Sequence, residues 1–84
     1  MKLLFQDRYG RYKEVADVDS YKETSIAIQD FLDAYNYTSY YTRMWIQEHE
    51  AHFQLMFDVG SHTEFFCIRF DTHEAAEAFM KDRN

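Results

Sequence analysis

The 84-residue chain has no proline, two glycines and a single cysteine. Without proline, and with glycine so scarce, no stretch has the composition of a flexible linker, so residues 1–84 are expected to form a single domain. One cysteine, Cys67, excludes an internal disulfide. Small secreted domains usually carry such bridges, so their absence predicts a reducing compartment, by default the cytoplasm. No apolar run approaches the roughly 20 residues of a membrane span. The start, Met1-Lys2-Leu3-Leu4-Phe5-Gln6-Asp7, has too short an apolar run for a signal peptide. Also missing are a phosphate-binding loop, a dinucleotide fingerprint, a CxxC pair, an HExxH helix and a Ser-His-Asp constellation. No cofactor is therefore expected.

What the chain has in quantity is aromatic: eight Phe, seven Tyr and one Trp. A domain this small buries only about 60–65% of its unfolded surface, so large rings are an efficient source of stability. The net charge is −6 and unevenly spread. Residues 1–13 are basic through Lys2, Arg8, Arg11 and Lys13 against Asp7. Residues 14–37 are acidic, setting Glu14, Asp17, Asp19, Glu23, Asp30 and Asp33 against Lys22 alone. An acidic chain repels phosphate backbones, which counts against nonspecific nucleic-acid binding.

Residues 2–6 and 11–17 have the look of two strands around Asp7-Arg8-Tyr9-Gly10, with Gly10 free to take a positive φ. Ser20-Tyr21-Lys22-Glu23 has capping-box spacing and opens a helix whose apolar set is Tyr21, Ile28, Phe31, Leu32 and Tyr35. Thr24 and Ala27 fall on its flank, and Asn36 suits a left-handed cap. Residues 40–70 predict a three-stranded meander. Phe53, Leu55, Phe57 and Val59 alternate with His52, Gln54, Met56 and Asp58, a period of two. A two-residue turn at Gly60-Ser61 would set Leu55 opposite Phe66, Phe53 opposite Ile68, Met56 opposite Phe65 and Gln54 opposite Cys67. An even turn at Glu50-Ala51 would place Ile46 beside Leu55, Trp45 beside Met56 and Arg43 beside Asp58. Asp71-Thr72-His73-Glu74 opens a last helix, again with capping-box spacing, and Ala75, Ala76, Phe79 and Met80 form its stripe. Lys81 and Arg83 suit its C-terminal end. The expected fold is α+β: a five-stranded, mainly antiparallel sheet in ββα-βββα order, with both helices on one face.

If the helices cover the Phe53, Leu55, Phe57 side, the other side should be polar. It carries Tyr41, Trp45, Met56, Phe65 and Cys67 instead, framed by Arg43, Gln47, Gln54, His52 and Arg69. An aromatic row with an arginine rim has the composition of a protein interface, for a second copy or another protein. Sheet aromatics also stack nucleic-acid bases, the less favoured reading for a chain of this charge. A third reading is that neighbouring side chains cover the face and leave only a modest patch.

Candidate chemistry is sparse. Glu48-His49-Glu50-Ala51-His52 sets His49 and His52 as cross-strand neighbours within reach of a divalent ion, although the spacing matches no metal motif. Cys67 would need a base such as His52 to act as a nucleophile; a packed strand cysteine is the simpler reading. Asp30 with Asp33, and Glu74 with Glu77, pair carboxylates a helical turn apart on solvent faces. Eighty-four residues also leave little room for a pocket of about 300 Å3 or more unless two chains build it together. The chain is therefore expected to be a small cytosolic binding protein rather than an enzyme, with a protein partner or self-association through the aromatic face. The acidic block around Asp30 and Asp33 supports an alternative, a phage-type or regulatory inhibitor whose carboxylates imitate nucleic-acid phosphates.

Overall fold

Asp7 builds the first turn. Its Oδ1 accepts hydrogen bonds from the Tyr9 and Arg11 N–H groups, each at 2.9 Å, while Gly10 sits at φ +81°. That turn joins β1 (Lys2–Gln6) to β2 (Tyr12–Asp17) in a computed structural model that describes residues 1–38 and 42–82. Ser20 caps α1 (Tyr21–Ala34), its Oγ accepting from Glu23 N–H at 3.1 Å. Past the helix end, Asn36 takes φ +57°, the left-handed conformation that Asn tolerates better than most residues. Then follow β3 (Arg43–Glu48), β4 (Phe53–Asp58), β5 (Phe65–Phe70) and α2 (His73–Lys81). Tyr41 and Arg83 lie outside the described residues.

The strands form one antiparallel sheet in the order β2-β1-β5-β4-β3. The chain therefore returns β5 to the sheet centre, beside β1, and leaves β2 and β3 as the edges. The period-two pattern then decides which side chains meet the helices. Leu3 from β1, Leu55 and Phe57 from β4, and Phe66 and Ile68 from β5 are all buried against Ile28 and Leu32 of α1 and Phe79 of α2. Phe66 meets the partly buried Phe5 and Phe31 in an aromatic trio, with ring centroids 4.8–5.2 Å apart. Such pairs add about 0.5–1.5 kcal/mol each beyond area burial. Thr24 is fully buried on α1, which it tolerates because its hydroxyl donates to the Ser20 carbonyl at 2.8 Å.

Two local expectations are corrected. The Gly60-Ser61 hairpin is a six-residue loop, so Leu55 pairs with Ile68, Met56 with Cys67, Phe57 with Phe66 and Phe53 with Phe70. The register has moved by two residues, which preserves every side chain's face. The cause is Asp58: its buried Oδ1 accepts from Gly60 N–H at 2.9 Å and His62 N–H at 3.3 Å, holding a wider turn with both Gly60 and His62 at positive φ. The last helix is capped one residue later than expected, by Thr72, whose Oγ1 accepts from Ala75 N–H. In β2, the pairing with β1 is irregular between Leu3 and Leu4, so Leu3 faces Ala16 but Leu4 faces Glu14. This bulge lets both Val15 and Ala16 pack on the helix-side core.

Candidate functional site

On the face away from the helices, the pairing sets three rows across the sheet. The first runs Arg43, Asp58, Phe65, Gln6 and Tyr12; the second Trp45, Met56, Cys67, Leu4 and Glu14; the third begins Gln47, Gln54 and Arg69. The Trp45–Met56 and Arg43–Asp58 neighbours are those the sequence predicts. No helix covers this face, yet Leu4, Met56 and Cys67 form a second buried cluster, with Cys67 wholly inaccessible.

Side chains supply the cover. Trp45 and Phe65 meet edge to face at 5.8 Å, reaching from β3 to β5 across β4, and both pack on the Leu4–Met56–Cys67 floor. Arg69, in the third row, lays its guanidinium over the Tyr12 ring of the first row at 4.8 Å. A contact between those rows must pass over the second, which holds Leu4 and Cys67. At the other end Arg43 lies 4.6 Å over the Trp45 ring. Of the predicted interface residues, Met56 and Cys67 are therefore floor rather than contact surface. Trp45 and Phe65 are half-buried, and Arg43 and Arg69 are exposed. Tyr12 belongs to the site and is missed from sequence, because nothing local reveals that β1 and β2 lie beside β5.

Charge on this face is largely internally matched. Lys2 Nζ reaches Asp17 at 3.0 Å and Glu14 at 3.8 Å, and its pKa is raised chiefly by the Asp17 hydrogen bond. Arg43 Nη2 stands 3.7 Å from Asp58 Oδ2, and His62 Nδ1 lies 2.9 Å from the same oxygen. Burial alone would raise the Asp58 pKa. The Gly60 and His62 N–H groups and the His62 ring outweigh it and hold the carboxyl below its ordinary value.

The Cys67 thiol is pushed up to about 11 by burial, against a smaller opposing pull from Arg69. At neutral pH it is a protonated, inaccessible thiol, the state of a packing residue rather than a nucleophile. His49 and His52 do meet across the turn, their rings stacked at 4.8 Å and parallel to within 3°. Parallel rings keep their in-plane lone pairs in two separate planes, so those lone pairs do not converge on one ion. Among the described residues no group of three or more His, Cys, Asp or Glu gathers as for a metal. His49 Nε2, His52 Nε2 and Gln54 Oε1 are buried without a hydrogen-bond partner among the described residues. The His52 pKa is lowered, first by burial, then by the charges of His49 and Arg69.

The helical carboxylates have ordinary partners. Asp33 accepts from Gln29 Nε2 at 2.9 Å, and Glu77 is held by His73 Nδ1 at 2.6 Å. Asp30 and Glu74 are exposed. A cavity of about 280 Å3 lies on the helix side, past the end of α1, with Phe5, Leu32, Tyr37, Val59, Glu64 and Phe66 in its wall. Its lining includes none of the open-face residues. No helix among the described residues is long and apolar enough to cross a membrane. No protein-family model, curated protein or solved structure matches this chain.

Proposed function

We propose that this chain is a cytoplasmic binding protein that recognises a protein partner through the open face of its sheet, and that it performs no catalysis. The observation carrying this reading is the pair of guanidinium–aromatic stacks, Arg43 on Trp45 and Arg69 on Tyr12, laid over a dry floor. Trp, Tyr and Arg dominate binding hot spots because each combines a large flat apolar surface with a polar handle. Stacking fixes these side chains before any partner arrives, which lowers the ordering cost of association. Acidic or aromatic groups on the partner would match the outward guanidinium edges.

Single-stranded nucleic acid is the weaker ligand for the same face. Tracking a phosphate backbone needs several unmatched cations, whereas Lys2 is tied to Asp17 and Glu14, and Arg43 stands beside Asp58. The test is retention of a partner by the tagged full chain in extracts of its source cell. Trp45→Ala or Arg69→Ala should lower retention about tenfold or more, while Asp30→Lys with Asp33→Lys should leave it unchanged. The reverse pattern would transfer recognition to the acidic face of α1 and defeat the proposal. So would a Trp45 fluorescence response to single-stranded oligonucleotides at low salt with no protein retained.

A further inference from the structure

The two edges of the sheet are built differently. On β2, Lys13, Glu14 and Asp17 are exposed charges, and the pairing with β1 is bulged at its middle. Bulges and charges are the usual guards against an edge acquiring another strand. On β3 the register with β4 runs unbroken over six pairs, and charge appears only at the ends, Arg43 and Glu48. Between them Met44, Trp45 and Ile46 are each partly buried apolar residues, followed by exposed, uncharged Gln47.

The direction of the free backbone groups follows from one bond. His49 N–H donates to the His52 carbonyl at 2.8 Å, so odd-numbered residues of β3 turn their N–H and C=O toward β4. Met44, Ile46 and Glu48 therefore present theirs to the open edge.

We propose that a second copy of this chain pairs antiparallel on that edge, about a two-fold axis at Trp45, to make one continuous ten-stranded sheet. In this register Met44 of each chain exchanges both backbone hydrogen bonds with Ile46 of the other, and their side chains meet on the helix side. Trp45 faces its own copy at a non-hydrogen-bonded position, where side chains approach most closely. Arg43 lies opposite Gln47 on the open face. A shift by one residue would put open-face side chains of one copy beside helix-side ones of the other. In this register Glu48 of each copy lies opposite Thr42 of the other, so neither Arg43 nor Glu48 meets its own copy, whereas in-register parallel pairing would set like charges side by side. Because the β2 edge is guarded, assembly stops at two copies instead of propagating. The pairing uses backbone groups at the edge and holds whether or not the open face has a protein partner.

Sedimentation velocity from about 1 μM to about 1 mM should show a monomer–dimer equilibrium. Met44→Pro removes an outward N–H that faces solvent in the monomer, so it should weaken the dimer at least about tenfold while leaving the far-UV spectrum unchanged. Should that variant fail to fold, the exposed Gln47 carries the test. Gln47→Glu, set opposite Arg43 of the other copy, should tighten the dimer several-fold, and Gln47→Arg should loosen it. Arg69→Ala, remote from the edge, should leave the dimer intact, which separates this proposal from recognition by the open face. A monomer at every concentration overturns the proposal, as does a dimer indifferent to Met44→Pro, or Gln47 variants that shift the equilibrium in the same direction.

Discussion

The two faces of the sheet bury their residues by different means. On one, Leu55, Phe66 and Ile68 are covered by helices whose backbone is fixed by its own hydrogen bonds. On the other, Met56 and Cys67 are as dry but lie beneath individual side chains, Trp45, Phe65, Tyr12 and Arg69. A sheet face thus needs no second layer of backbone to be sealed, provided long amphipathic side chains can lie flat on it. The difference is in what can move. Helix cover is removed only by unfolding, whereas a rotamer change opens side-chain cover.

Substitutions can break or sharpen this contrast. The largest loss is expected for Phe66→Ala, which empties the aromatic trio under α1 and should cost about 3–5 kcal/mol in urea denaturation. Met56→Ala on the open face should cost about 2–3 kcal/mol; a loss below about 1 kcal/mol would show that side-chain cover does not make a true interior. Asp58→Ala comes next at about 2 kcal/mol, since it removes the buried acceptor of the Gly60 and His62 N–H groups. It should also alter the acid limb. The folded Asp58 pKa lies below the unfolded value near 3.8, so its contribution is complete above that pH and is lost as pH falls through the lower folded value. The variant should lack that portion of acid destabilisation.

Smaller in energy, but more specific to the cover, is Tyr12→Ala. Removing the ring beneath Arg69 should raise the rate of Cys67 modification by a thiol reagent on the order of tenfold, while the parent chain stays inert. Unchanged inertness would mean that Tyr12 and Arg69 are not the lid over Cys67. The smallest effect concerns His52, whose folded pKa lies below its ordinary 6.5. Its favourable contribution is whole above that pH and declines as pH falls through the lower folded value, so thermal midpoints should drift down on mild acidification. His52→Gln should remove the drift.

Much of the fold was legible because each amphipathic pattern carries its own period. Phe53, Leu55 and Phe57 announce a face whatever their partners, and Ser20 before Glu23 announces a helix start. The Gly60-Ser61 turn was not legible, because its width depends on the buried Asp58 carboxylate accepting two backbone N–H groups. Asp58-x-Gly60 offered a hint, since aspartate commonly bonds the N–H two residues on. The site was half legible. Trp45, Phe65, Arg43 and Arg69 share a face by parity, but Tyr12 enters only through the pairing of β1 with β5, a contact spanning most of the chain.

The sequence by itself determined the faces, the helix limits to within a residue or so, and the ββα-βββα order, because these depend on spacing between near neighbours. Only the tertiary structure decided the strand order, the two-residue change of register, and the conversion of Met56 and Cys67 from surface to floor. Those outcomes depend on which distant strands lie side by side and which long side chains can then reach across them, and no local spacing encodes that distance.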